Sequence, residues 1–275
     1  MRNDWTQGTV SVDDGIELFY TRTGNGEKPA LVLAHGITEN GLCWHQFASD
    51  LEADFDIIMY DAYGHGKSSR VDPNKRFDLI EDLNELINAL NLKKPGVIGF
   101  SMGAVTAAGF AARYPEKLTA LVLEDPPWHE PQDGEDEEEK ETARNQARKK
   151  ENLAAKKKTV KELQKHKLKE SPNWEEAILP EWAQSKHEFD PKFLDHFQLN
   201  GSKWRDLVNR ISVPTLIVTG DNELGAHITP SLGVEAIQLL DKGEFGHISG
   251  AGHCVRYEQY QPYLTMVQLF LKRNM

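Results

Sequence analysis

Short apolar runs recur along the chain, and each is followed by glycine or by polar and charged residues. One example is Ala-Leu-Val-Leu-Ala at residues 30–34, which precedes His35 and Gly36. Unbroken apolar runs of this length are typical of parallel strands that helices cover on both faces. The pattern predicts six such strands, at residues 30–34, 56–61, 95–100, 118–123, 213–220 and 244–248.

Segments with a helical period separate these strands. Apolar side chains recur through residues 77–90 with the spacing of an amphipathic helix. Residues 9–23 differ, because Asp13-Asp14-Gly15 predicts a hairpin turn between two antiparallel strands. The alternation predicts an α/β fold with a mostly parallel central sheet flanked by helices. The other predicted helices are residues 42–51, 104–113, 230–240 and 257–271.

The composition changes between residues 126 and 210. An acidic run at residues 133–141 is followed by a basic run at residues 144–169, and neither has enough apolar positions for a core. We predict a helical cap at residues 126–210, inserted between two late strands of a core domain made of residues 1–125 and 211–275. Six large aromatic side chains either roof an apolar pocket or form the cap's own small core: Trp174, Trp182, Phe189, Phe193, Phe197 and Trp204.

A G-x-S-x-G motif, Gly-Phe-Ser-Met-Gly at residues 99–103, joins a predicted strand to a predicted helix. A nucleophile elbow requires this context, because a serine on such a sharp turn points its hydroxyl out of the sheet. A Cβ at Gly99 or Gly103 would collide with the neighbouring strand or helix. The context therefore predicts that Ser101 is a nucleophile and that the motif is no chance match of a short pattern.

His253 is the predicted base for Ser101. A serine hydroxyl is a poor nucleophile at neutral pH and needs a histidine base, which an acid in turn orients. Of the ten histidines, only His253 lies in a glycine-rich loop just beyond the last strand. His65 lies in an earlier glycine-rich loop, and we interpret it as a loop residue rather than a base.

Three motifs resemble the α/β-hydrolase superfamily in their content and their order. The resemblance covers roughly residues 9–125 and 211–273 and implies the α/β-hydrolase fold. It departs from the family at Tyr63, where many members carry arginine. The motifs are the strand ending in His35-Gly36, Asp61-x-x-Gly64-x-Gly66-x-Ser68, and Gly99-x-Ser101-x-Gly103.

The resemblance leaves three carboxylates open as the acid that orients His253. Members of the superfamily most often carry it after the penultimate strand, where Asp221 and Glu223 stand, and some carry it after the strand that follows the elbow, where Glu124 stands. We rank Asp221 first because it is short and nearest its strand end, followed by Glu124 and Glu223. Asp125, beside Glu124, is expected to cap the turn before two prolines, with Glu124 paired to a cation, unless the two bind a ligand.

Two backbone amides are expected to form the oxyanion hole. The Met102 N–H opens the helix after the elbow, and the Ile37 N–H lies in the loop after the strand at residues 30–34. Both positions face the place where negative charge develops during acyl transfer.

The predicted function is that of a serine hydrolase. It would cleave a carboxylic ester, thioester or lactone of a small to medium apolar substrate through an acyl-enzyme, with no cofactor and no metal. The resemblance also permits carbon–carbon bond hydrolases and perhydrolases with the same triad. The rival from another class is a ligand-binding or signalling protein with little turnover, because Ser101 and His253 would be present in both.

Composition narrows the expected partners to small molecules. The 275 residues carry a net charge of −11, which opposes general nucleic-acid binding, and Cys43 and Cys254 form neither a metal motif nor a disulfide framework. No apolar run approaches the roughly 18 residues of a membrane span, so we expect no membrane contact, a cytoplasmic location and a monomer or homodimer. The basic run is interpreted as a solvated helical face, with binding of polyanions at residues 156–169 as the weaker alternative.

Overall fold

Eight strands form one sheet in a computed structural model that describes residues 4–130, 136–199 and 201–275. In chain order, the strands are β1 (Thr6–Val12), β2 (Ile16–Arg22), β3 (Ala30–Ala34), β4 (Asp56–Tyr60), β5 (Gly96–Phe100), β6 (Leu121–Glu124), β7 (Thr215–Thr219) and β8 (Gly243–His247). The order across the sheet is β1-β2-β4-β3-β5-β6-β7-β8. Only the pairings of β2 with β1 and β4 are antiparallel, and the five others are parallel.

Helices cover both faces of the sheet. Along β3, Leu31 and Leu33 pack into one apolar cluster while Val32 and Ala34 pack into the other, so the unbroken apolar run serves both faces. The helices are α1 (His45–Leu51), α2 (Leu79–Ala89), α3 (Met102–Arg113), α4 (Glu137–Ala155), α5 (Val160–Glu170), α6 (Leu179–Glu188), α7 (Trp204–Val208), α8 (Pro230–Leu239), α9 (Val255–Glu258) and α10 (Tyr260–Asn274).

The predicted fold class is confirmed, with local differences at two helices. The hairpin around residues 13–15 and all six further strands are present within a few residues of their predicted positions. The helix predicted at residues 42–51 begins as a 3-10 turn over Gly41–Trp44. The helix predicted at residues 257–271 is divided at Gln259, whose φ of −138° and ψ of 64° are not helical.

Four helices, α4 to α7, lie in the chain between β6 and β7, although these two strands are neighbours in the sheet. This is the stretch predicted as a cap, and its proposed limits at residues 126 and 210 stay a prediction. Residues 133–135 of the acidic run lie outside the described residues. Among the helices that the structure describes, none is both long enough and apolar enough to cross a bilayer.

Candidate active site

Ser101 stands on a sharp turn between β5 and α3. Its backbone has φ 51° and ψ −112°, a conformation that non-glycine residues rarely adopt. The two motif glycines allow the turn, because a Cβ at Gly99 would lie 2.2 Å from the Gly103 carbonyl oxygen and a Cβ at Gly103 would lie 2.2 Å from that of Ala34. The turn therefore has the geometry of a nucleophile elbow.

The Ser101 hydroxyl is hydrogen-bonded to His253, so the structure brings the predicted nucleophile and base together. Ser101 Oγ lies 3.0 Å from His253 Nε2, and His253 Nδ1 lies 2.6 Å from Asp125 Oδ2. The chain of contacts joins the ends of β5 and β6 to the loop after β8. A serine, a histidine and a buried carboxylate in this sequence of contacts can activate the hydroxyl for nucleophilic attack.

Three protein groups besides His253 fix the Asp125 carboxylate. The Thr219 hydroxyl donates to Oδ1 at 2.7 Å, and the Ile228 amide donates to the same oxygen at 3.1 Å. The His227 amide donates to Oδ2 at 2.9 Å and also reaches Oδ1 at 3.2 Å. Asp125 is fully buried and has a positive φ of 39°. These donors stabilise the ionised carboxylate and set its direction toward the His253 ring.

The acid at His253 differs from each of the three that the sequence analysis ranks. Asp221, ranked first, accepts hydrogen bonds from the Gly250 amide at 2.7 Å and from Ser249, and it pairs with His247 at 2.9 Å. Glu223 lies exposed in a 3-10 turn after β7. The geometry therefore corrects the ranking, since Asp221 stabilises the backbone of the loop that carries His253 without bonding its ring.

Glu124 pairs with Arg256, as the alternative interpretation of the strand end expects. Its carboxylate accepts from the Arg256 guanidinium at 2.9 Å and from the Arg256 amide at 2.9 Å. Glu124 is the last residue of β6, and the chain turns at Asp125, whose φ is 39°, so the two neighbours meet different partners. Glu124 continues the face of Val122, whereas Leu123 packs on the opposite side of the sheet. The sequence alone does not show how the chain turns after β6, so it carried no signal that favoured Asp125.

Arg256 is a second residue that the sequence analysis missed. It is buried, donates to Glu124 and to Glu39 at 3.1 Å, and lies 3.9 Å from the ring centre of Trp44. Glu39 Oε2 in turn accepts from the Gly36 amide at 3.2 Å. Burial raises the pKa of Glu39, but the charges of Arg256 and Lys186 outweigh it and hold this pKa below its usual value. One guanidinium thus ties together the strand end before Asp125, the helix after His253 and the loop around residues 36–39.

The two predicted oxyanion donors lie at the ends of neighbouring parallel strands. Met102 is the first residue of α3, so its amide precedes the regular hydrogen bonds of the helix. Ile37 lies in a turn that the Glu39 amide closes by donating to the Gly36 carbonyl at 3.1 Å. Neither the Ile37 nor the Met102 amide has a hydrogen-bond partner within the part of the chain that the structure describes. Both are thus available to an oxygen that receives negative charge.

His35 and His65 are structural residues rather than bases. The Ala62 amide donates to His35 Nε2 at 3.0 Å, so the His35 ring carries its proton on Nδ1, which faces the Gly36 carbonyl at 2.8 Å. Burial lowers the pKa of His35 to about 4. His65 Nδ1 lies 2.9 Å from the Tyr63 carbonyl, and its ring packs between Phe189 and Phe193. Both side chains stabilise loops beneath the site in the neutral form.

The aromatic side chains of the cap stretch pack both on one another and on residues outside the stretch. Trp204 stacks on Trp128 with ring centres 5.4 Å apart, and Trp174 packs on Tyr257 at 4.6 Å. Phe193 contacts Phe77 at 5.0 Å. The contacts with Tyr257 and Phe77 join the cap stretch to the rest of the chain, whereas Trp128 lies within that stretch. An apolar pocket roofed by the same rings stays a prediction.

Charged side chains of the cap stretch pair with opposite charges of the same stretch. Glu141 is buried and accepts from Arg148 at 3.0 Å and from Arg144 at 3.4 Å. Asn145 and Asn152, on the same face of α4, donate to the carbonyls of Phe197 and Lys186. α4 therefore packs through a polar face. The sequence did not reveal this, because the residues that recur on the packed face of α4 are polar rather than apolar.

Asp125, His227 and His253 could together offer ligands to a metal ion. One ligand atom from each lies within 4.8 Å of the others, and the His227 ring meets the His253 ring edge-on at 4.5 Å. The 2.6 Å contact between His253 Nδ1 and Asp125 Oδ2 has the length of a hydrogen bond in which a protonated Nδ1 donates to the carboxylate, as a triad requires. The arrangement thus fits proton transfer directly.

Comparison with known proteins agrees with this geometry. A family model described as alpha/beta hydrolase fold matches residues 29–259. The chain is 35% identical over 118 residues to a Bacillus subtilis (strain 168) protein provisionally assigned as a 2-succinyl-6-hydroxy-2,4-cyclohexadiene-1-carboxylate synthase, covering 42% of this chain and 43% of that protein. It is 28% identical over 116 residues to 3-oxoadipate enol-lactonase 2 of Acinetobacter baylyi (strain ATCC 33305 / BD413 / ADP1), again covering 42% and 43%. Each match therefore spans less than half the length of the relative.

A solved structure matches the fold over nearly its whole length. The crystal structure of E-2-(acetamidomethylene)succinate hydrolase superposes with a TM-score of 0.79 at 19% identity, covering 98% of this chain and 99% of the other. At that identity the likeness concerns the fold.

Proposed function

Because the chain belongs to the alpha/beta hydrolase fold family, we propose that it is a serine hydrolase that works through an acyl-enzyme. The observation that carries the proposal is the continuous contact from Ser101 through His253 to Asp125, at 3.0 and 2.6 Å. A weak nucleophile, a base in contact with it and a buried acid behind the base are the parts that acyl transfer requires.

Each residue has a defined role in the proposed reaction. His253 Nε2 accepts the Ser101 proton as the hydroxyl attacks the carbonyl carbon, and it then protonates the leaving group as that bond breaks. Asp125 holds the Nδ1 proton of His253 and stabilises the imidazolium. The amides of Ile37 and Met102 bind the oxyanion of the tetrahedral intermediate. Water deacylates the enzyme by the same steps, with His253 again as the base.

We propose a carboxylic ester, thioester or lactone of small to medium size as the substrate, with an apolar acyl or alcohol group. The aromatic side chains of the cap stretch support the apolar preference. The enol-lactonase relative supports the lactone option, since its name states that reaction. We further propose that the reaction needs no cofactor, nucleic acid or membrane, and that the protein works in the cytoplasm as a monomer or homodimer.

The test is hydrolysis of p-nitrophenyl esters of increasing acyl length, with Ser101→Ala assayed in parallel. We expect turnover in the wild type that disappears in the variant. The acyl length that gives the fastest turnover indicates the size of the acyl pocket. Equal activity in both proteins would contradict the role of Ser101. A fluorophosphonate probe provides a second measure, because it should label the wild type and leave Ser101→Ala unlabelled.

Two alternatives predict other results in the same assay. A carbon–carbon bond hydrolase or perhydrolase would react with the fluorophosphonate but turn over esters poorly. A ligand-binding protein would release little more than one equivalent of nitrophenol per chain. Continued turnover at a steady rate would exclude that second alternative.

A further inference from the structure

The turn at residues 36–39 holds an unfavourable backbone conformation. Thr38 has a φ of 63° at the third position of this turn, which the Glu39 amide closes on the Gly36 carbonyl. Glycine or asparagine normally fills such a position, and a β-branched residue there is a genuine outlier. Ile37, whose amide is the proposed oxyanion donor, directly precedes Thr38. The direction of that amide therefore depends on a conformation that Thr38 would not adopt unaided.

Two neighbouring residues of α6, in the cap stretch, bind Thr38 from above. The Ser185 hydroxyl donates to the Thr38 carbonyl at 3.0 Å. Lys186 Nζ donates to the same carbonyl at 3.1 Å and to Thr38 Oγ1 at 2.8 Å. Nearby, Asn40 Nδ2 donates to Glu188 at 2.8 Å. The carbonyl and the hydroxyl of Thr38 thus accept hydrogen bonds from the cap stretch, which supports the strained turn from outside.

Aromatic and acidic side chains surround the Lys186 ammonium that binds Thr38. Its ammonium lies 4.9 Å from the ring centre of Trp182, and burial lowers its pKa while Glu39 acts in the opposite direction. Glu39 belongs both to the turn and to the buried group around Arg256. Lys186 therefore supplies a second positive charge, besides that of Arg256, that acts on Glu39, and it does so from the cap stretch.

We propose that Lys186 is a positioning residue that, by binding Thr38, holds the Ile37 amide in the oxyanion hole and couples cap docking to catalysis. This inference rests on the proposed function for its kinetic consequences. The turn and its contacts with α6 exist independently of any substrate. When α6 leaves the turn, Thr38 loses three hydrogen bonds and relaxes toward a negative φ, and the Ile37 amide turns away from the elbow.

The first experiment compares Lys186→Met with Lys192→Met, an exposed lysine of the same stretch, on the best p-nitrophenyl ester. We expect Lys186→Met to lower kcat at least about tenfold, because an oxyanion donor is misplaced, with KM changed less than about twofold. Ser185→Ala should act in the same direction with a smaller effect, and Lys192→Met should match the wild type. A change in KM alone would show that Lys186 binds substrate and would overturn the proposal.

The second experiment separates positioning from general damage by using Thr38→Gly. Glycine adopts a positive φ without strain, so the turn should no longer need support from the cap. In this background, we expect Lys186→Met to lower kcat by less than about threefold. An equally large loss in both backgrounds would overturn the proposal, because Lys186 would then act by some route other than Thr38.

Amide hydrogen exchange tests the coupling without any substrate. The Glu39 amide reports on the turn because it donates to the Gly36 carbonyl. We expect faster exchange at Glu39 in Lys186→Met and unchanged exchange in Lys192→Met and in Ser101→Ala. Unchanged exchange in Lys186→Met would overturn the coupling whether or not the protein hydrolyses esters. Faster exchange in a protein without esterase activity would support the coupling while the proposed function failed.

Discussion

Two aspartate–histidine pairs lie at neighbouring strand ends, and they differ in almost everything except their residue types. Asp125 and His253 are 2.6 Å apart, with side chains that are 0% and 27% exposed. Asp221 and His247 are 2.9 Å apart and are 23% and 39% exposed. The first pair continues to the Ser101 hydroxyl. In the second, the nearby Ser249 hydroxyl donates to the carboxylate itself at 3.2 Å.

The difference lies in what each carboxylate holds. Asp125 accepts hydrogen bonds from three backbone or hydroxyl donors and presents a fixed oxygen to His253. Asp221 accepts hydrogen bonds from the Ser249 hydroxyl and the Gly250 amide, so it orders the loop that leads to His253. The comparison shows that burial and anchoring, more than position at a strand end, separate an orienting acid from a loop-stabilising one.

The largest expected effect is that of Asp125→Asn on catalysis. The side-chain amide has a single acceptor oxygen, so it cannot accept the hydrogen bond from His253 Nδ1 while keeping the other donors satisfied, and His253 is held in the wrong tautomer. We expect kcat to fall about 10⁴-fold, measured on the best ester. The matched control is Asp221→Asn, for which we expect a change within about threefold. Similar losses in the two variants would remove the distinction between the pairs.

Glu124→Gln should lower the stability of the protein and leave its activity nearly unchanged, the opposite of what we expect for Asp125→Asn. It removes a buried charge from Arg256, and we expect the free energy of unfolding in urea to fall by about 3 kcal/mol. The kcat of the remaining folded protein should stay within about threefold of the wild type. A loss of kcat comparable with that of Asp125→Asn, at unchanged stability, would show that the two adjacent acids share one role.

A smaller effect is expected from the hydroxyl groups behind the two aspartates. Thr219→Val keeps the shape of the side chain and removes the donor at 2.7 Å from Asp125 Oδ1. We expect kcat about tenfold lower, because the carboxylate gains freedom to turn. Ser249→Ala removes the corresponding hydroxyl from Asp221 and should leave kcat unchanged. An equal response to both changes would argue against anchoring as the deciding property.

The smallest expected effect is a pH-dependent shift in melting temperature. The Gly250 amide is the main group that holds the pKa of Asp221 below its ordinary value. This stabilisation is present above the unfolded pKa of about 4 and is lost as the pH falls through the lower folded value. Asp221→Asn should therefore melt slightly below the wild type at pH 7, with the gap closing below about pH 4. A gap that is constant with pH would show that the ionised carboxylate contributes nothing.

Most of the fold was accessible from the sequence because its signals are local. The apolar run of β3 and the motif around Ser101 each lie within a few consecutive residues, and both strand and elbow stand where they were predicted. His253 was noticed for the same reason, since Gly250 and Gly252 stand directly before it. The acid was not predicted, because the choice between Glu124 and Asp125 depends on the pairing of β6 with β5, where Phe100 stands opposite Glu124.

The contacts that involve α6 were beyond the sequence for a related reason. Lys186 and Thr38 are 148 residues apart in the chain, and no local pattern marks either of them as a partner of the other. The positive φ of Thr38 could not be predicted from the sequence either, since threonine rarely adopts a positive φ. Local rules thus failed where distant segments meet at the site, which is where functional constraints override them.

The buried contacts of Arg256 also bear on the order in which the molecule acquires its properties during folding. This guanidinium joins Glu124 and Glu39, which lie 132 and 217 residues away in the chain. Contacts between such distant segments close slowly, because the chain entropy of the large loops is lost before the contacts form. Hydrolytic activity should therefore return after the circular dichroism signal of the sheet when the protein refolds from urea, and simultaneous recovery would contradict this order. An activity assay then reports on the completed fold, whereas spectroscopy reports on its parts.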